Sequence, residues 1–333
     1  MATLRNSSTS NNEIHTQPKL PNDNENLWKQ VSDISQVIGE VILFLLKFWF
    51  LVGQAFVRLF IPIPPKSVKG EIVLITGAGN GIGRELAFQY ASQGATVVGW
   101  DINEKGNLET VAEIAKLGYP KAYAYVCNVA KREEVMEVAK KVQKDVGDVT
   151  ILINNAGIMP CHPFFDHTTE EIHRIMDINV MAHFWTLQAF LPAMVQNNHG
   201  HIVAISSVAG LMGVKNLTPY CASKFAVRGM MEALYQDLHT DQKCQIKTTC
   251  IYPFAVHTGL FDVKNANMKY PKLTPVLKPK DVAKNIMNAQ RRDVFETTIP
   301  RHMLSVSYCM KLFPVKALMA LNEFFDSYIE TDL

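Results

Sequence analysis

The sequence predicts an α/β protein built on a mostly parallel sheet, with an apolar helix ahead of it. Three observations carry that expectation. From Glu71 onward, short apolar runs alternate with amphipathic stretches, the pattern of β-α-β units. A glycine-dense turn, TGAGNGIG, joins the first run to the first amphipathic stretch. Residues 41–60, VILFLLKFWFLVGQAFVRLF, hold only Lys47, Gln54 and Arg58 as strongly polar side chains, too apolar for the surface helix of a soluble domain. At 333 residues and 48% hydrophobic, the chain can bury one large core and still carry an appendage.

Charge and cysteine usage exclude several functions. The 33 basic and 31 acidic side chains are scattered without long runs, for a net charge of +2, so no polyelectrolyte partner and no nucleic acid is expected. The six cysteines (127, 161, 221, 244, 250 and 309) contain no CxxC and no regular spacing. That argues against a metal site or a disulfide framework and for reduced thiols facing the cytosol.

Residues 1–26 are polar, rich in Asn and Ser, and lack any apolar period, so they read as a disordered tail. Residues 27–66 read as a membrane anchor segment. Within it Gln36, Glu40, Lys47, Gln54 and Arg58 are separated by 4, 7, 7 and 4, which returns each to the same face of a helix. Such a narrow polar stripe suits a helix lying in the lipid interface, the reading preferred here, or a span that hides its stripe against a partner. Pro62, Pro64 and Pro65 end the segment.

Residues 67–300 read as the catalytic domain. In EIVLITGAGNGIGRELAFQYASQGATVVGWD, an apolar run, a turn, an amphipathic helix and a second apolar run form one β-α-β unit. Gly77, Gly81 and Gly83 let the backbone turn tightly and approach a pyrophosphate at the positive end of the following helix. Asp101 comes eighteen residues after Gly83, at the tip of the second strand. A carboxylate there accepts ribose hydroxyls and repels a 2′-phosphate, which favours NAD over NADP.

TGAGNGIG resembles the T-G-x-x-x-G-x-G signature of the short-chain dehydrogenase/reductase family. NNAG at 154–157 follows an apolar run and is similar to that family's fourth-strand motif. Asn128 and Val129 stand where the family usually has Asp-Val, and Pro253-Phe254 where it usually has Pro-Gly. GHIVAISS ends at Ser207, and thirteen residues later comes YCASK, Tyr220 to Lys224. The resemblance implies a single doubly wound Rossmann-type domain with about seven strands. It implies a catalytic set of Ser207, Tyr220 and Lys224, with Asn179 of DINV as a fourth member holding a water that joins Lys224 to solvent. It implies cofactor contacts from Gly77, Asn80, Gly81, Ile82 and Gly83 on the turn, from Asp101 and Ile102, and from Asn128 and Val129. Asn155, Ala156 and Gly157 extend that set, as do Tyr220, Lys224, Pro253, Val256 and Thr258. No metal is expected.

Residue chemistry fits these implied roles. Positions four apart share a helix face, so the Lys224 ammonium can lie near the Tyr220 ring and favour its ionised form. Ser207 can hold a substrate oxygen.

The anchor, Asp101 and YCASKFA together resemble the family's membrane-bound branch of retinol dehydrogenases and lipid-droplet 17β-hydroxysteroid dehydrogenases. That implies NAD-dependent oxidation of a lipophilic alcohol, with all-trans-retinol foremost, on the cytosolic face of the endoplasmic reticulum and on lipid droplets. The expected partners are a lipophilic alcohol or ketone, a membrane or droplet monolayer, and a second copy in a homodimer. A 17β-hydroxysteroid dehydrogenase, a long-chain carbonyl reductase and a catalytically silent droplet scaffold are the alternatives. Residues 301–333 form a C-terminal helical extension that alternates basic and bulky apolar residues around Pro314, fit for cleft closure, membrane contact or plain packing.

Overall fold

The computed structural model describes residues 23–61, 63–241, 243–259, 266–267, 269, 276–325 and 328–329; most of the expected tail, residues 1–22, lies outside them. The chain divides into two compact units, Met1–Ile63 and Pro64–Leu333. Among its described residues the first holds one helix, α1 (Asp23–Phe60), of 38 residues and about 57 Å at 1.5 Å per residue. It starts four residues before the change of composition at Leu27, since neither glycine nor proline interrupts 23–26. Its stripe is visible as a hydrogen bond from Gln36 Nε2 to Glu40 Oε1 at 3.0 Å. Within Asn26–Arg58 an 18-residue stretch reaches a mean hydropathy of 1.8, and the helix is long and apolar enough to cross a membrane.

In the second unit, apolar runs become strands and amphipathic stretches become helices. The order is β1 (Ile72–Thr76), α2 (Gly81–Ser92), β2 (Thr96–Asp101), α3 (Glu104–Lys116), β3 (Ala122–Val126), α4 (Arg132–Asp145) and β4 (Ile151–Asn154). There follow α5 (Thr169–Met176), a π-helical turn (Asp177–Met181), α6 (Ala182–Gln196), β5 (His201–Ile205), α7 (Thr218–His239) and β6 (Lys247–Pro253). The two-residue β7 (Ala266–Asn267), α8 (Pro279–Gln290), β8 (Glu296–Ile299), α9 (His302–Met310), α10 (Val315–Phe325) and β9 (Tyr328–Ile329) complete it. Seven strands form one parallel sheet in the order β3-β2-β1-β4-β5-β6-β8, as expected; β7 and β9 pair separately and antiparallel.

Helices cover both faces, so the central strands are buried on both sides and read as continuous apolar runs. On one face Trp100, Val142, Phe190, Met194 and Met231 share a core; on the other Leu86, Tyr90, Ile114, Val282 and Ile286 do. The strand order reverses at β1, which has β2 on one side and β4 on the other. Chains leaving β1 and β4 therefore diverge to opposite faces and open a crevice beyond their carboxyl ends. The motifs TGAG and NNAG sit at those two ends.

Candidate active site

At this crevice a cavity of about 1200 Å³ opens, larger than the roughly 300–1,000 Å³ of an ordinary small-molecule cleft. One end is the glycine turn. Gly77 and Gly81 both have positive φ, +72° and +56°, a conformation glycine adopts without strain. Asn80 caps α2, its Oδ1 accepting from Gly81 N at 2.7 Å. Turn and NNAG are tied together: Thr76 Oγ1 accepts from the Asn155 and Ala156 backbone N–H groups at 3.0 Å each, and Asn155 Nδ2 donates to Thr76 O at 2.8 Å. The backbone is thus held before any ligand arrives, which lowers the entropy cost of binding one.

Asp101 ends β2 at the same end of the cavity. Its Oδ2 accepts from Gly79 N and its Oδ1 from Asn103 N, both at 2.8 Å. These bonds fix the carboxylate, and each oxygen keeps a lone pair for a hydroxyl. The cavity is also lined by Trp100, Ile102, Asn128, Val129 and Ala130. The cradle therefore fits a dinucleotide with free ribose hydroxyls. Asn128 differs in detail from its expected role: its side-chain carbonyl is engaged by Ala130 N at 3.1 Å in a local turn.

Deeper in, Ser207 follows β5, and α7 brings Tyr220 and Lys224 one turn apart on the same face. Tyr220 is 6% exposed and Lys224 4%. The lysine Nζ lies 5.6 Å from the centre of the tyrosine ring and donates to Ile205 O at 3.1 Å. A Cβ on Gly157 would sit 3.5 Å from that Nζ, in ordinary contact, and more tightly, at 3.2 Å, against Asn179 Oδ1. Burial pushes the Lys224 ammonium down to about 8 and the Tyr220 phenol up to about 12, with the Ser207 hydrogen bond pulling the phenol back. The expected pull of the Lys224 ammonium and a bound nicotinamide ring towards phenolate therefore has to work against burial. In the protein without its cofactor, desolvation outweighs the Ser207 hydrogen bond.

Two expected residues stand behind the cavity rather than on its wall. Gly83 packs α2 against the turn, where a Cβ would meet Gly77 O at 2.0 Å. Asn179 sits on the π-helical turn within the continuous helix Thr169–Gln196. Its side chain accepts from Ile158 N at 2.9 Å and donates to Ile158 O at 2.9 Å and Ser223 Oγ at 3.1 Å. With both amide hydrogens committed, the side chain braces the irregular segment after NNAG and keeps only an Oδ1 lone pair for a water. The remaining expected contacts, Pro253, Val256 and Thr258 among them, line the cavity.

The other end of the cavity had little signal in the sequence. It is walled by Met159, Met212, Leu217, Phe254 and, from the C-terminal helices, Met303 and Met310. Methionine fills irregular space and adapts to varied apolar shapes. The C-terminal helices α9 and α10 contribute His302, Val306, Leu321 and Glu323 to the lining as well. No spacing rule joins these residues to YCASK, because the chain has to fold before they meet. Among the described residues no cluster of metal ligands occurs.

Comparison with known proteins agrees with this geometry. Residues 71–269 match the profile of the family described as short chain dehydrogenase. The chain is 42% identical over 288 residues to short-chain dehydrogenase/reductase family 16C member 6 of Bos taurus, which covers 86% of this chain and 90% of that one. It is 41% identical over 285 residues to epidermal retinol dehydrogenase 2 of Homo sapiens, with 86% and 92% covered. It is 39% identical over 286 residues to 17-beta-hydroxysteroid dehydrogenase 13 of Homo sapiens, with 86% and 93% covered. Among solved structures, a short chain dehydrogenase/reductase from Burkholderia phymatum in complex with NAD superposes with a TM-score of 0.66 at 26% identity, over 73% of this chain and 93% of that one. The glycine turn, the parallel sheet and the Ser207, Tyr220 and Lys224 cluster thus sit within a match that spans most of the catalytic unit: the chain belongs to the short-chain dehydrogenase family.

Proposed function

We propose that the protein is a membrane-associated, NAD-dependent dehydrogenase that oxidises a lipophilic alcohol, all-trans-retinol foremost. The observation that carries this reading is one cavity with three parts: Asp101 at its dinucleotide end, Ser207, Tyr220 and Lys224 at its centre, and a methionine-rich wall at its far end. A 17β-hydroxysteroid is the second reading, supported by the relative named for that activity.

When bound, NAD supplies the hydride acceptor and, in its oxidised form, a positive ring charge. The glycine turn, Asp101 and NNAG would hold it. Ser207 hydrogen-bonds the substrate oxygen and orients the carbinol carbon. Tyr220 takes the hydroxyl proton at its phenolic oxygen, and the Lys224 ammonium stabilises the phenolate that accepts it. Apolar walls around these groups exclude water, which strengthens each of these electrostatic effects.

Membranes carrying the full chain should turn over all-trans-retinol with NAD at a kcat/KM above that with NADP. Asp101→Ser should lower kcat/KM for NAD by about 10- to 100-fold, the worth of hydrogen bonds to a charged group, and narrow the gap to NADP. Faster turnover with NADP by the parent at equal low concentration would remove the role given to Asp101. A higher kcat/KM for a 17β-hydroxysteroid than for retinol would select the second reading.

The anchor reading follows from the stripe on α1. With Gln36, Glu40, Lys47, Gln54 and Arg58 turned to the headgroups, α1 lies in one leaflet, and both chain ends stay on the cytosolic side of the endoplasmic reticulum. That geometry also fits the single monolayer of a lipid droplet, where a span would strand its far end in oil. Tags at residues 1 and 333 should both be digested by protease in sealed microsomes. Protection of either tag rejects the in-plane helix.

A further inference from the structure

We propose that the outer face of α9 and α10 is a second lipid contact, separate from α1, which seats the mouth of the cavity on the membrane so that substrate enters from the lipid phase. Its loading role rests on the lipophilic-alcohol reading above. The two helices have two sides. One lines the cavity through Met303, Val306, Met310 and Leu321. Elsewhere on the same segment large apolar side chains stand in the open: Leu312 is 83% exposed, Val315 72%, Phe313 59% and Met319 56%. A helix facing water turns its polar side outward. An apolar patch at a cavity mouth instead marks a surface that another apolar phase covers.

Charge and position identify that phase as lipid. Arg301, Lys311 and Lys316 are exposed along the segment, and Glu323 is the single acid in 301–325. Cations interleaved with bulky apolar residues pair with anionic headgroups while the apolar side chains enter the acyl boundary. The second argument is where the anchored chain enters the catalytic unit. Lys66 O accepts from Arg291 Nε at 2.7 Å and Lys66 Nζ bonds Asp293 Oδ1 at 2.6 Å, just before β8 begins. The helix α9 starts just after β8 ends. Both therefore flank the same edge strand, one at each end, and a strand of four residues is only about 13 Å long. A single plane along that edge of the catalytic unit meets both.

The test uses the full chain in vesicles of phosphatidylcholine and phosphatidylserine. An environment-sensitive dye on Leu312→Cys, with Cys309→Ser, should shift to the blue and be quenched by bromine-labelled acyl chains. The same dye on Lys284→Cys of α8 should stay in water. A water-like spectrum at Leu312→Cys in vesicles, or a blue spectrum that persists in detergent and tracks a cross-linked second copy, would overturn the lipid assignment. For loading, Leu312→Asp with Val315→Asp should raise KM for vesicle-dissolved alcohol at least about fivefold. In detergent micelles the variant's kcat and KM should match the parent's, which also reports intact folding. An unchanged KM in vesicles refutes loading through this face. If neither retinol nor a hydroxysteroid is oxidised by the parent, the proposed substrate falls, while the dye result still decides the contact.

Discussion

Tyr220→Phe is expected to lower kcat by about 10² to 10⁴, the usual worth of a positioned acid or base, and to leave the Kd for NAD within about threefold of the parent. The ring stays in place, because Tyr220 is packed among Cys161, Ala209, Leu217 and Cys221, and phenylalanine fills the same space. Only the oxygen is lost, and with it the hydrogen bond to Ser207. The direction of the pH dependence follows from the same group. Burial raises the phenol to about 12 in the protein alone, so at neutral pH the proton acceptor is scarce, and alcohol oxidation should speed up as pH rises and the phenolate fills. Tyr220→Phe should flatten that rise. Stopped-flow turnover and NAD fluorescence titration across pH 6 to 10 check both parts. Activity within a few-fold of the parent, with the same pH slope, would sink the assignment of Tyr220.

The second large effect is expected at a residue that touches no substrate. Gly83→Ala places a Cβ 2.0 Å from Gly77 O and 2.8 Å from Gly77 C, both backbone, and 2.7 Å from Asn155 Nδ2. No rotamer change relieves a clash with backbone, so the turn at 77–80 has to move away from α2. That movement strains the Asn155 bonds to Thr76 O and Gly77 O, which join the turn to NNAG. Overpacking of this kind costs about 1–3 kcal/mol, sometimes more. Since a pyrophosphate is held by the start of the helix, NAD binding should weaken by roughly 10²-fold, and the melting temperature should fall by several degrees. Gly229→Ala is the control. It lies within α7 with nothing within 4 Å of the added carbon, so it should be neutral or gain up to about 1 kcal/mol from helix propensity. NAD affinity in Gly83→Ala equal to the parent's would show that the turn tolerates displacement, against the close packing described.

Much of the site was legible in the chain because its parts are local. TGAGNGIG is one turn, Tyr220 and Lys224 are one helical turn apart, and Asp101 closes one strand, so each unit carries its own geometry in its spacing. The apolar helix was legible for a similar reason: twenty residues with three strongly polar side chains state their solvent preference in composition. Boundaries were read less well, as α1 begins at Asp23 rather than Leu27. Asn179 shows where local reading stops. Its identity marked it, but its work depends on a π-helical turn that aims the amide at Ile158 and Ser223, residues 21 and 44 positions away.

By itself, then, the sequence determined the β-α-β order, the apolar helix, the carboxylate that ends β2 and the spacing of Ser207, Tyr220 and Lys224. Periodicity and short spacings hold within one element whatever surrounds it. Tertiary structure alone decided which protonation states the site starts from, because the shifts of Tyr220 and Lys224 come first from burial, and burial is a property of the packed domain. It also decided the far wall of the cavity. Met303 and Met310 lie more than eighty residues beyond Tyr220, and no periodicity spans that distance. They meet the site only because β8 takes the sheet's edge and delivers α9 to the open end of the crevice.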